Sequence, residues 1–212
     1  MDELSLVQEP EGLTLVGDGI SMRGDFTKMI PRLKQNKLNG EMLVRAAKLK
    51  GLGEHPLAVD ATAGMGEDSL LLAAAGYRVI LFEYNSVIAA LLEDTLKRSA
   101  KIPELADVVG RMHLICGDSI EGLKQLEETP DLVLLDPMFP ARNKSGLIKK
   151  KFQLLQQLER PCGNEEELVR AAIEAHPRRI VIKRPLKGPY LADIKPAYSI
   201  SGKAIRYDCL VF

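Results

Sequence analysis

The alternation of short apolar runs with longer helical segments constrains this chain most. It begins at residue 57 and continues to the end. Residues 57–59, 79–82, 112–116, 132–135 and 179–182 are aliphatic runs too short for helices, and each reads as a buried strand. Residues 69–75, 86–97, 147–158 and 165–175 carry helical spacing, the last with Asn164 as its N-cap. Strands that alternate with helices pair in parallel, and the crossover helices cover both faces. Residues 198–200 and 205–211, around Ser201-Gly202, add an antiparallel pair. The expected fold is α/β, a Rossmann-like sheet of seven mostly parallel strands.

The first fifty residues follow a different rule. Runs at 4–7, 13–16 and 20–23 are separated by Glu9-Pro10-Glu11-Gly12 and Gly17-Asp18-Gly19, both turn chemistry, so a small antiparallel flap is expected. A helix over 41–50 ends at Gly51 and Gly53. Residues 1–50 thus read as a small β-rich and helical extension, and 51–212 as the main domain. The chain has no tryptophan, so aliphatics must fill the core. Its three cysteines lie far apart with no C-x-x-C, which argues against a zinc site. The start Met1-Asp2-Glu3-Leu4 lacks the basic and apolar regions of a secretion signal, and no run is long enough to span a membrane. A cytoplasmic location and no metal are expected.

Open α/β sheets bind ligands beyond the carboxyl ends of their strands. Four such ends carry suitable chemistry here. The first is followed by Asp60-Ala61-Thr62-Ala63-Gly64-Met65-Gly66-Glu67-Asp68, where Gly64 and Gly66 allow close backbone approach to a ligand. The loop is neither of the phosphate-cradling glycine patterns. Glu83 ends the second strand, seventeen residues past Gly66, where a carboxylate can accept from two ribose hydroxyls. Asp118-Ser119 follows the third and can receive an adenine amine. The fourth runs into Asp136-Pro137-Met138-Phe139-Pro140. There the prolines end ladder pairing, leaving a carboxylate, carbonyls and an aromatic ring at one strand end. Together these can grip an amine on a planar base. The spacing resembles the Asp/Asn-Pro-Pro-aromatic signature of methyltransferases that act on planar-bound nitrogens, with Met138 in place of the second proline. NAD shares the earlier features, but no proton donor for a hydride substrate is evident, so S-adenosylmethionine is the expected cofactor.

Overall neutrality hides a division of charge. Residues 54–141 hold fifteen acids and six bases, whereas 142–206 hold fifteen bases and six acids. A basic final third suits a polyanion. Arg142, Lys144, Lys149, Lys150 and Lys151 follow the fourth strand end, and Lys183 and Arg184 the fifth, as candidate contacts to RNA phosphates.

Val59 to Gly66, Ala89-Ala90-Leu91-Leu92, Leu135 to Pro140 with Lys144-Ser145 and Lys149-Lys150, and Lys183-Arg184-Pro185 together resemble one group. That group is the bacterial RsmJ family, the guanine-N2 methyltransferases of 16S ribosomal RNA. The resemblance runs from about Arg32 to the end. It implies S-adenosylmethionine as donor and 16S ribosomal RNA, or the small ribosomal subunit, as partner. It implies cofactor contacts at Glu67, Asp68, Glu83, Tyr84, Asp118, Ser119 and Asp136, beside those of the Asp60, Gly64 and Gly66 loop. Asp136, Pro137 and Phe139 are the expected catalytic set. The pattern departs at Glu67 and Tyr84, where arginine is expected, and at Asp118, where a small hydroxyl residue is. Two alternatives stay open: a methyltransferase of a DNA base or protein amide, and a non-catalytic RNA-binding module on the same fold.

Overall fold

The computed structural model describes residues 4–17, 19–137 and 164–212. The expected helix over 147–158 lies outside them. So do Met138, Phe139, Pro140, Arg142, Lys144, Lys149, Lys150 and Lys151.

Strands β1 (Ser5–Glu9), β2 (Gly12–Gly17) and β3 (Ile20–Met22) form the antiparallel flap. Its inner residues Leu15 and Met22 pack on Leu91 of α5 (Ser86–Ser99). A 3₁₀ turn over Phe26–Met29 follows, then three short helices: α1 (Ile30–Leu33), α2 (Gln35–Leu38) and α3 (Met42–Ala47). The helix expected over 41–50 is therefore shorter. It stops where Lys48 turns extended, and its free carbonyls find other donors. Arg179 donates to Ala46 O at 2.7 Å and Lys48 O at 3.0 Å, and Arg178 to Lys50 O at 2.6 Å.

The second sheet has the order β6-β5-β4-β7-β8-β10-β9. Its strands are β4 (Leu57–Asp60), β5 (Arg78–Glu83), β6 (Met112–Cys116), β7 (Leu132–Leu135), β8 (Arg179–Pro185), β9 (Tyr198–Ser201) and β10 (Ile205–Val211). The first five pair in parallel, and β10 lies antiparallel between β8 and β9. The seven-stranded, mostly parallel sheet expected from the runs is present.

Strand side chains alternate between faces. Ala58, Leu132, Leu134 and Val181 face one core layer with α4 (Glu67–Ala74) and α6 (Pro103–Val109). Val59, Val133, Leu135, Ile180 and Ile182 face the other, with α7 (Ser119–Lys124) and α8 (Glu165–Glu174). All four residues of β7 are buried, which explains its unbroken apolar run. Phe26, Met29, Leu38 and Leu43 join the first layer, so the extension shares a core with the sheet. Neither α6 nor α7 stands out from apolar spacing alone. Pro103 opens α6, and Asp118 caps α7 by accepting from Ile120 N at 2.8 Å. Among the described residues no helix is long and apolar enough to cross a membrane.

Candidate active site

The chain order reverses direction between β4 and β7, so their carboxyl ends flank the crevice where such sheets bind ligands. The loop after β4 builds the floor of this crevice. Asp60 is buried, and its carboxylate holds the loop together. One oxygen accepts from Thr62 N at 3.1 Å and the other from Ser69 Oγ at 2.5 Å. Burial pushes this carboxyl up to about 7, against the pull of those two donors. Asp60 thus positions the loop from within.

Two bonds carry the loop to its neighbours. Gly64 N donates to Glu83 Oε2 at 2.8 Å, and Asn85 N donates to Oε1 at 2.8 Å. Burial raises the Glu83 carboxyl, and these two N–H groups oppose that rise. Asp136 N donates to Thr62 Oγ1 at 2.6 Å. Thr62 was not singled out in the sequence. Its only signal is general: beyond the end of β7 the Asp136 N–H has no ladder partner and needs another acceptor.

Gly64 and Gly66 both have left-handed backbones, with φ of +53° and +76°. Their surroundings differ. A Cβ on Gly66 would lie 2.7 Å from Leu92 Cδ1, so that glycine serves packing. A Cβ on Gly64 would meet nothing within 4 Å, so the main chain there borders open space. An open glycine beside a strand-end carboxylate fits a nucleoside lying against the backbone. Each Glu83 oxygen has accepted one bond and keeps capacity for a second, which suits ribose hydroxyls.

The rim above β7 and β8 is charged. Lys183 Nζ lies 2.8 Å from Asp136 Oδ2 and 2.7 Å from Asp68 Oδ2. Desolvation works against the lysine's charge, yet Asp136 and Asp68 together hold its pKa well above the ordinary lysine value. Burial pushes the Asp136 carboxyl up, and Lys183 opposes that shift. Two carboxylates, on Asp68 and Asp136, thus hold one ammonium, a net negative group that favours a cationic ligand.

The remaining expected residues divide. Pro137 is buried directly after Asp136. Glu67 opens α4 and is exposed, as is Tyr84 at 72%. Asp118 is exposed and uses one oxygen as the α7 cap, with Ser119 beside it as the first helical residue. Lys183, expected against RNA, is instead bound to the two site carboxylates. Arg184, also expected against RNA, is 1% exposed on the opposite face. It donates to Pro189 O at 3.1 Å and pairs with Glu165 at 3.6 Å, which withdraws it from any RNA-facing surface. Both corrections have one cause: a basic pair on a strand is split between its two faces. A cavity of about 450 Å³ lies elsewhere, lined by Glu165, Pro189, Tyr190 and Asp193 among others, and none of the strand-end residues borders it.

A family model described as "Putative SAM-dependent methyltransferase" matches residues 2–212. Ribosomal RNA small subunit methyltransferase J of Thioalkalivibrio sulfidiphilus is 42% identical over 176 residues, which is 82% of this chain and 69% of that protein. The protein of the same name from Acinetobacter baumannii is 39% identical over 219 residues, 97% of this chain and 77% of that one. A crystal structure of a SAM-dependent methyltransferase from Neisseria gonorrhoeae superposes with a TM-score of 0.80 at 32% identity, covering 99% of this chain and 83% of that one.

Proposed function

The chain belongs to the SAM-dependent methyltransferase family, among the relatives of ribosomal RNA small subunit methyltransferase J, and on that premise we propose that it methylates the exocyclic N2 amine of a guanine in small-subunit ribosomal RNA. Its cofactor is S-adenosylmethionine. Residues 51–212 form the methyltransferase domain in this reading, and 1–50 an extension packed on its core.

The observation that carries the reading is the position of Asp136. It stands at the end of the central strand β7, backbone held by Thr62 and carboxylate held by Lys183, next to the open loop at Gly64. Gly64, Glu83, Asp118 and Ser119 would hold the nucleoside end of the cofactor, and Asp68 and Asp136 would complement its positive charges. When bound, S-adenosylmethionine supplies a methyl group on a sulfonium, already activated for attack.

The chain's own task is to present the amine. A guanine amine is a poor nucleophile because its lone pair is delocalised into the ring. The Asp136 carboxylate and the Pro137 carbonyl accept from its N–H groups and favour a pyramidal nitrogen with a localised lone pair. That geometry belongs to the transition state, so the bonds strengthen as the reaction proceeds. Phe139 would stack on the base, a contact of about 1–3 kcal/mol. Alignment of the nitrogen with the methyl carbon supplies roughly 7–11 kcal/mol of barrier reduction. Arg142, Lys144 and Lys149 to Lys151 are the proposed contacts to the RNA backbone.

The test is product analysis. Small-subunit RNA from cells lacking the chain is incubated with the protein and methyl-labelled cofactor, then digested to nucleosides. The expected label is in N2-methylguanosine. Label in any other nucleoside, or nowhere, overturns the proposal. Asp136→Ala should lose at least about 100-fold in kcat, the scale for removing a transition-state hydrogen bond, while RNA affinity holds. Equal loss of both would make Asp136 a structural residue.

A further inference from the structure

We propose that Lys183 is a positioning residue for this reaction: it grips Asp136 through Oδ2 and leaves Oδ1 for the substrate amine, while Asp68 fixes the lysine from behind. The inference rests on the amine-methylating reading of the same site.

The argument starts from the alternation along β8. Ile182 faces the α8 layer, so Lys183 faces the α4 layer. Leu135 also faces the α8 layer, so Asp136 turns the same way as Lys183. Leu135 and Ile182 are the last paired positions of β7 and β8. One step further, the sheet delivers the ammonium to the carboxylate. Asp68, in the first turn of α4, closes the group at 2.7 Å. Three elements are thereby tied at one point: the helix that starts from the glycine loop, the strand that ends in the motif, and the strand beside it.

An ammonium has three donors, and two of Lys183's are taken by carboxylates. The group carries a net charge of minus one, which repels a phosphate rather than binding it. What the geometry provides instead is orientation. An Asp carboxyl rotates over a broad torsional range unless held. A charge-assisted bond to one oxygen fixes the plane of the group and the direction of the other oxygen. Among the described residues Oδ1 of Asp136 has no partner. The charged or titratable groups that act on Asp136 are Lys183 and Arg184 from β8, Asp68 from α4, Asp60 from β4 and Tyr207 from β10. Lys183 is the cation in direct contact, so its loss should make the carboxylate both loose and easier to protonate.

The test uses Lys183→Met and Lys183→Arg in the full chain, with folding checked by thermal unfolding and by cofactor affinity. For Lys183→Met the expected result is a fall in kcat of about 100-fold, the scale of a 1 Å misplacement, with the KM for RNA unchanged. The acid limb of its kcat profile should move to higher pH. Lys183→Arg should recover part of the rate. A second readout needs no RNA: the Asp136 carboxyl is titrated by carbon NMR, and its midpoint should be higher in Lys183→Met than in the wild type. An unmoved midpoint overturns the inference. So does a raised KM at constant kcat, which would return Lys183 to the RNA. If the wild type leaves guanine unmethylated, the functional reading fails, and the midpoint still decides whether Lys183 grips Asp136. If guanine is methylated and the midpoint stays put, the reading stands and the grip is refuted.

Discussion

Lys183 and Arg184 are neighbours in sequence and opposites in use. Lys183 turns toward α4 and joins Asp68 and Asp136 at the rim of the crevice. Arg184 turns toward α8 and is buried against Pro189 O and Glu165. The next strand repeats the division. Tyr207, opposite Lys183, lies on the site's face, whereas Arg206, opposite Arg184, lies on the other. Arg206 donates to the carbonyls of Pro185, Leu186 and Gly188 at 2.9, 2.9 and 3.0 Å, and pairs with Asp208 at 2.9 Å. One face of this corner gathers charge at the rim of the crevice. The other uses charge to hold a loop without regular structure.

The largest expected effect breaks the second face. Arg206→Ala leaves Asp208 buried without its cation, with Ser199 Oγ still donating to it, and several loop carbonyls without that donor. Removal of one member of a buried pair costs about 3–5 kcal/mol, which for a chain of this size lowers Tm by roughly 6–20 °C. Turnover of the protein that remains folded should be unchanged below the transition. A loss of kcat at low temperature, with Tm kept, would place Arg206 in the chemistry and dissolve the contrast.

Asp60 sharpens the comparison, because it is a structural carboxylate on the site's own side. Its carboxyl is raised from 3.8 to about 7 by burial. Between those values the folded chain keeps a proton that the unfolded chain has released. This contribution to stability is complete below about 3.8, declines as pH rises toward about 7 and is gone above it. The span corresponds to a change on the order of 4 kcal/mol. Denaturant unfolding from pH 4 to 8 should therefore show a pH-dependent difference between wild type and Asp60→Asn. Glu83 and Asp136 are also raised, but both chains retain them, so they cancel in that difference. Parallel curves for the two chains would mean that Asp60 is ionised in the fold.

These cases mark what the sequence discloses. Strands buried on both faces are continuous apolar runs, so β4, β5, β6 and β7 were legible to within a residue or two. The strand-end acids were legible too, since a carboxylate directly after such a run must lie at the rim. Partners were not. Nothing local to Asp60 says that Ser69 lies 2.5 Å away, and nothing local to Lys183 says that Asp68 does at 2.7 Å. A density of bases along the chain also says nothing of faces, which is why Arg184 read as a surface cation. Asp118 carried two signals at once, as a helix cap and as a ligand group, and reading only the second hid α7.

The smallest expected effects come from the two glycines of the β4 loop, and they separate fold from site most finely. Gly66→Ala places a methyl against Leu92 on a left-handed backbone, a cost of about 2 kcal/mol or more in stability. Gly64→Ala meets no atom, so it should cost only about 1 kcal/mol, the strain of its φ. Its methyl, however, would project into the open space beside Glu83. Calorimetry with S-adenosylmethionine should show about tenfold weaker binding for Gly64→Ala, equivalent to about 1.4 kcal/mol of lost contact. Gly66→Ala should bind nearly as the wild type does at a temperature where it is folded. If the two variants exchange these behaviours, the open side of the loop is not where the cofactor lies, and the crevice must be sought on the far side of β4.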